Sequence, residues 1–236
     1  MKSILKKLSL VALVVMLSIP FTGCEATRNA NNKQKGAVIG ATGGAILGAI
    51  LGNNLGKGGN SELGAVLGGV VGGGAGVLIG DRMDKQAQRI EEEIPGAEVE
   101  RVDDGIVITF DENSGVHFDT NKHNLKAESI VTLDKLTKVL NEYPDTDVLV
   151  VGHTDSTGPR AFNMTLSEQR ARSVTNYFTN TKNLSHSRFT TKWFGPDNPI
   201  ADNGTVEGRA KNRRVNVVIV PNKKMEEDAK REAGEK

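Results

Sequence analysis

The sequence predicts a small domain of alternating β and α elements in its C-terminal half, preceded by an apolar helical hairpin built on glycine. Three observations carry that prediction. Glycine recurs at every fourth position from Gly36 to Gly56 and again from Gly64 to Gly80, with Ala, Val, Ile and Leu between. Beyond Pro95-Gly96 the composition becomes globular, and strand-like runs such as Ile106-Val107-Ile108-Thr109-Phe110 and Val148 to Gly152 alternate with helical patterns. The apolar positions Ile130, Leu133, Leu136 and Leu140 recur every three or four residues, the spacing of one helix face.

The N-terminal 23 residues read as an export signal. Lys2, Lys6 and Lys7 precede an apolar run from Leu8 to Phe21, and Thr22-Gly23 leads to Cys24. The run is shorter than the roughly 20 apolar residues of a spanning helix and contains Ser9, Ser18 and Pro20, which favours cleavage. Cys24 is the only cysteine, so no internal disulfide can form; its position at the end of the signal favours modification over a stray thiol. Phe21-Thr22-Gly23-Cys24 resembles the lipobox of bacterial lipoproteins, which implies an acylated Cys24 and a contact with membrane lipid. Residues 24–35 then form a short lipidated linker.

Residues 36–80 are expected to be the hairpin, with Lys57 to Glu62 as its turn. A four-residue spacing keeps glycine on one slowly drifting helix face, where a second backbone can approach closely. In water each such glycine costs about 1 kcal/mol relative to alanine, so the pattern calls for lipid or tight packing. A flexible tether would need neither the apolar residues nor the strict spacing. The arm from Gly36 to Gly56 reaches about 31 Å as a helix, enough to cross a hydrocarbon core. This stretch resembles the glycine-zipper segments of envelope lipoproteins, which implies a bilayer-embedded or self-associating hairpin and a possible homo-oligomer.

Residues 81–104 follow as a charged linker or solvated helix. Strands are then expected at Ile106 to Phe110 and Val116 to Phe118, a helix from about Asn124 to Glu142, and a strand at Val148 to Gly152. A second helix lies within Pro159 to Asn180, with Leu166, Val174, Tyr177 and Phe178 inward. A strand near Phe189 to Phe194, a helical turn near Val206 to Lys211 and a last strand from Arg214 to Val220 complete the domain, 105–220. The tail, 221–236, is almost wholly charged or small and is expected to be disordered.

Charge excludes one class of function. The chain has 30 basic and 29 acidic residues, and loss of the three signal lysines leaves a slight acidic excess, unlike a nucleic-acid binder.

The chemistry concentrates after the Val148 strand, where the chain reads Gly152-His153-Thr154-Asp155-Ser156-Thr157-Gly158. The next helix carries Asn163 and Arg170 seven residues apart, two turns along one face. A strand-end loop and its following helix can thus present a negative and a positive charge to one ligand. As isolated residues, Asp155 and Arg170 could equally be a structural ion pair. His153 has no partner histidine at ligand spacing and reads as a structural strand-end residue. Of Arg213 and Arg214, one is expected to be a solvated strand end.

Four separated stretches, in order, resemble the OmpA-like peptidoglycan-binding domain: Phe118 to Lys122, Gly152 to Gly158, Leu166 to Ala171, and Gly208 to Val215. The resemblance implies an α+β fold with a mixed, partly antiparallel sheet and helices packed on it. It also implies a ligand, the free amino-acid centre of diaminopimelate in the stem peptide of peptidoglycan. Asp155 would take its ammonium and Arg170 its carboxylate, with Asn121, Thr154, Asn163 and Arg213 completing the pocket. Such a pairing is chemically apt, because a guanidinium grips a carboxylate in bidentate fashion while a carboxylate accepts from an ammonium.

The function expected on this basis is noncovalent tethering of the outer membrane to peptidoglycan, by a lipid-anchored protein whose C-terminal domain lies in the periplasm. The alternative is a membrane-structuring or pore-like assembly through the hairpin, with wall binding accessory. Neither apolar arm carries an ionisable residue, which argues against an ion-conducting stator. No metal triad or activated nucleophile is apparent, so neither catalysis nor a cofactor is expected.

Overall fold

A computed structural model describes residues 73–110, 115–116, 118–119 and 121–235. The signal, Cys24 and the hairpin through residue 72 lie outside the described residues. The elements in chain order are α1 (Gly74–Glu93), β1 (Glu98–Val102), β2 (Gly105–Phe110), α2 (Ala127–Glu142), β3 (Thr146–His153), α3 (Arg160–Asn176), β4 (Phe189–Gly195), α4 (Val206–Asn212), β5 (Val215–Pro221) and α5 (Lys223–Glu232). α3 runs on into a π-helical turn, Tyr177–Thr181.

The five strands form one sheet in the order β1-β2-β5-β3-β4. Only β3 and β4 run parallel; β1/β2, β2/β5 and β5/β3 are antiparallel. The sheet is therefore mixed and largely antiparallel, with helices packed on it, the α+β architecture that the resemblance implied. β5 (VNVVIVP) is buried throughout, because it is central and apolar on both faces. One face sends Ile106, Ile108, Phe110, Val148, Val150, Val217 and Ile219 into the main core. There they meet Ile79, Met83 and Ile90 of α1, Leu133, Leu136 and Leu140 of α2, Val174 of α3, Phe178 beyond it, and Met225 of α5. The opposite face carries a smaller cluster of Val107, Leu149, Val151, Val218 and Val220, with Phe194 and Ile200 against it.

The core positions of α3 fall as the periodicity indicates: Leu166 and Val174 are buried, as are Tyr177 and Phe178 just beyond it. In α2 the buried stripe is Leu133, Leu136, Val139 and Leu140, whereas Ile130 is 37% exposed in the first turn. Val116 and Phe118 are not in a strand.

Three boundaries differ from expectation. α1 begins at Gly74, so residues 74–80 are the opening turns of a helix that continues to Glu93 rather than the end of a separate arm. The reason is a continuous apolar stripe: Ala75, Ile79, Met83, Ala87 and Ile90 lie on one face across Gly80 and are buried in the main core. Gly80 itself faces open space, since a Cβ placed there would meet nothing within 4 Å. The segment expected as a charged linker or solvated helix thus forms most of a helix, but one packed on the core rather than solvated, together with the edge strand β1. The tail expected to be disordered contains α5. Asn222 caps it by accepting from the Met225 N–H at 3.0 Å, and Met225 and Ala229, one turn apart, are buried. α5 packs against α1, with Arg82 paired to Glu232 at 2.6 Å. Glu235 Oε1 accepts from the Gly74 N–H at 2.8 Å, at the N-terminus of α1. Among the described residues no helix is long and apolar enough to cross a membrane.

A charged cleft at the end of the parallel strand pair

The site begins where β3 ends. A Cβ on Gly152 would lie 2.1 Å from the carbonyl oxygen of Ser167, so the backbone of α3 rests directly on the strand only because residue 152 has no side chain. Ser167 is fully buried, and its Oγ accepts from the Gly195 N–H at 3.0 Å, which ties α3 to β4. Register with β4 shifts between Gly152 and His153. His153 N–H then donates to Arg214 O (3.0 Å), and Thr154 N–H to Gly195 O (2.9 Å). These contacts hold the strand end in place and deliver Thr154 and Asp155 beside α3.

Asp155 is fixed on both carboxylate oxygens. Oδ1 accepts from the Thr157 N–H at 2.8 Å, and Oδ2 accepts from Arg213 Nη1 at 2.6 Å. Burial pushes its carboxyl up, but the hydrogen bonds from Arg213 and Thr157 outweigh that push and hold it below the usual carboxylate range. Asn163 Nδ2 donates to Thr157 O at 2.9 Å and to Asp155 O at 3.4 Å, bracing the same loop from the first turn of α3. Two turns on, Arg170 is 5% exposed; its Nε donates to Lys122 O at 3.1 Å and its Nη2 to Asp119 O at 3.4 Å. Its guanidinium carbon lies 5.1 Å from the centroid of the Phe118 ring. Asn121 adopts a left-handed backbone, φ 59°, in the turn that supplies these carbonyls.

The resulting cleft has a volume of about 430 Å³ and is lined by Asn121, Thr154, Asp155, Asn163, Arg170 and Arg213, all six residues singled out in the sequence. Thr154 Oγ1 is buried there with no hydrogen-bond partner among the described residues. Four further residues line it: Phe118, Thr157, Leu166 and Arg209. All four lie inside the matched stretches, so the signal was present; what sequence could not supply was which side chains in those stretches turned inward. Among the described residues the cleft carries three guanidinium groups and one carboxylate.

Neither arginine before the last strand is a solvated end. Arg213 enters the cleft, whereas Arg214 is buried behind it, with Nε on Asn216 Oδ1 (3.0 Å) and Nη2 on Asn198 O (3.1 Å). Burial lowers its pKa to about 9. Hydrogen bonding to neutral acceptors lets this charge sit on the sheet face, something composition alone does not reveal. His153 is also fully buried, stacked on Phe194 at 5.8 Å, and burial pushes its imidazole well below the usual histidine value, followed by the nearby Arg214 charge. Both its ring nitrogens are buried without a hydrogen-bond partner among the described residues, and it does not line the cleft.

A mixed five-stranded sheet with a charged cleft between a strand-end loop and the next helix defines the class, and a family model agrees: residues 117–213 match the OmpA family, and residues 1–84 match the YMGG-like Gly-zipper. The two matches are separate, the first over the C-terminal sheet domain and the second over the N-terminal third of the chain. Probable lipoprotein YiaD of Escherichia coli (strain K12) is 41% identical over 145 residues, 61% of this chain and 65% of that one. Peptidoglycan-binding protein ArfA of Mycobacterium bovis is 41% identical over 87 residues, 37% of this chain and 26% of that one. Among solved structures, the cell wall anchor of the T6SS from Pseudomonas aeruginosa superposes with a TM-score of 0.50 at 26% identity, covering 59% of this chain and 97% of that one. The chain spans just under two thirds of the length of YiaD and about a quarter of that of ArfA.

Proposed function

We propose that this protein tethers the outer membrane to peptidoglycan, its cleft gripping the free amino-acid centre of diaminopimelate. The observation that carries this reading is the convergence of Asp155 and Arg170, from a strand-end loop and the following helix, on one cleft of an OmpA-family domain. The ligand end is a zwitterion. An ionised carboxylate offers about four lone-pair sites, so Asp155 can accept from an ammonium alongside Thr157 and Arg213. Arg170 is pre-oriented by two backbone carbonyls and the Phe118 ring, which reduces the ordering cost of gripping a carboxylate. An amidated or neutral end would forfeit one of these partners.

The reading is of a binder without catalytic chemistry. Asp155, the one carboxylate lining the cleft, is held ionised by Arg213 and is a weak base for that reason. The names of the relatives, a lipoprotein, a peptidoglycan-binding protein and a cell wall anchor, support the same role. Acyl chains on Cys24 and the glycine-zipper segment would supply the membrane end, with the domain in the periplasm. Membrane attachment keeps the cleft at high local concentration beside a repeating polymer, so single-site affinity can be modest.

Co-sedimentation of the full-length, detergent-solubilised protein with diaminopimelate-containing sacculi tests this. Wild type pellets with the sacculi, and Asp155→Ala or Arg170→Ala reduces retention at least about tenfold, the loss of a charge-assisted partner. Folded wild type that stays in the supernatant would refute the tether and shift the weight to assembly through the hairpin.

A further inference from the structure

We infer that Arg209 reads a second carboxylate on the wall peptide, one outside the diaminopimelate centre held by Asp155 and Arg170. This rests on the reading of the cleft as a stem-peptide site and extends it to the ligand's neighbouring group. The argument starts from charge. Among the described residues, the charged side chains lining the cleft are Arg170, Arg209, Arg213 and one acid, Asp155, which is paired with Arg213 at 2.6 Å. A zwitterionic amino-acid end brings no net charge, so its arrival leaves the lining two positive charges in excess. A second carboxylate on the same ligand corrects half of that excess, and Arg209 is the cation positioned for it.

Among the described residues, the side-chain hydrogen bond of Arg209 runs from Nη1 to the Asn203 carbonyl at 2.9 Å, and no carboxylate pairs with it. A guanidinium has five N–H donors, so most of its fork remains for a ligand. Its support is stiff. Thr205 caps α4 by accepting from the Gly208 N–H at 2.9 Å, and a Cβ on Gly208 would fall 2.0 Å from Asp202 O, so helix and preceding loop are in direct backbone contact. Asn212, fully buried, fastens that loop: Oδ1 accepts from Ile200 N–H (2.8 Å) and Ala201 N–H (3.1 Å), while Nδ2 donates to Ala201 O (2.8 Å) and Asn203 Oδ1 (3.0 Å). Asn203 Oδ1 in turn accepts from the Ser156 N–H at 3.1 Å, beside Asp155. One network thus fixes Arg209 relative to the ammonium-binding group, as a site that measures the spacing between two ligand charges requires.

Stem-peptide chemistry offers two such carboxylates. The glutamate preceding diaminopimelate is joined through its side chain, leaving its α-carboxyl free or amidated according to the wall, and the peptide's C-terminus supplies the other. A volume of about 430 Å³ lies in the range of pockets that hold more than a single amino-acid head.

The test is calorimetric titration of the full-length protein in detergent with the tripeptide L-alanyl-γ-D-glutamyl-meso-diaminopimelate. Three forms are compared: all acids free, the glutamate α-carboxamide, and the carboxamide at the C-terminal carboxyl of the peptide chain. Wild type prefers the free form about tenfold over one of the two amides, as expected for one charge-assisted contact. The disfavoured amide identifies which carboxylate is read. Arg209→Gln binds all three forms alike, with the affinity wild type shows for the disfavoured amide, and unfolds at the wild-type temperature. Equal binding of all three forms by wild type overturns this inference alone, as does discrimination that persists in Arg209→Gln. Absence of binding to any form overturns the wall-peptide reading with it.

Discussion

Ile79 lies within the glycine-spaced apolar stretch, where a membrane helix would expose it to lipid, yet it is fully buried in the core of the domain. Two residues earlier on the same helix, Val77 is 73% exposed. The pair makes a clean comparison. Truncating a fully buried isoleucine to alanine costs about 2–5 kcal/mol, from lost transfer energy and the cavity left behind. For a domain of this size each kcal/mol moves the melting temperature by roughly 2–4 °C, so Ile79→Ala lowers it by about 6–12 °C at a loss near 3 kcal/mol. Val77→Ala, at the surface, stays within about 0.5 kcal/mol of wild type. Thermal unfolding of the detergent-solubilised full-length protein, followed by circular dichroism, distinguishes the two. Equal melting temperatures for both variants would show that α1 is not part of the cooperative core, and the boundary drawn at Gly74 would be wrong.

The ion pair at the cleft gives a pH prediction. A carboxyl whose folded pKa is depressed contributes above its unfolded pKa and loses that contribution as pH falls through the folded value; sacculus binding by wild type therefore persists as pH falls into the usual carboxylate range, and Arg213→Ala shifts its loss upward. Gly152→Ala forces α3 off β3 against the Ser167 carbonyl and destabilises the domain by about 3 kcal/mol in urea titration, with loss of sacculus binding. Asn212→Ala leaves two backbone N–H groups without their acceptor and costs about 2–4 kcal/mol in the same titration. An unchanged midpoint in either variant would contradict the geometry described.

What was legible in sequence was what repeats or runs. β3 and β5 are apolar runs bounded by turn residues, and α2 and α3 announce themselves by three- and four-residue spacing. Five of the six cleft residues were reachable because they sit in four stretches with a recognisable order, not because any of them is distinctive alone; Asn163, outside those stretches, lies two helical turns before Arg170. What was not legible depended on partners far along the chain. β1 (EVERV) has one half-buried edge and acquires its pairing only from β2. α5 holds just two buried apolar residues, too few to compete with its charge in a composition argument, and is stabilised by α1 more than 130 residues earlier. Arg214 reads as a surface charge because sequence cannot show Asn216 and Asn198 waiting for it. Arg209 was passed over for a similar reason: its meaning lies in the charge balance of a cleft assembled from four separate segments.

The closure of α5 over the start of α1 bears on how the protein would respond to pulling. If the membrane end is fixed and the wall recedes, tension enters the domain at residue 73. The first bonds to meet it are exposed and replaceable by water: the Glu235 carboxylate on the Gly74 N–H and the Arg82–Glu232 pair. Only then do buried Ala75 and Ile79 come under load. None of the cleft residues lies on α1 or α5. Under the proposed tethering role, the first contacts to yield are therefore exposed ones, on elements that carry no cleft residue.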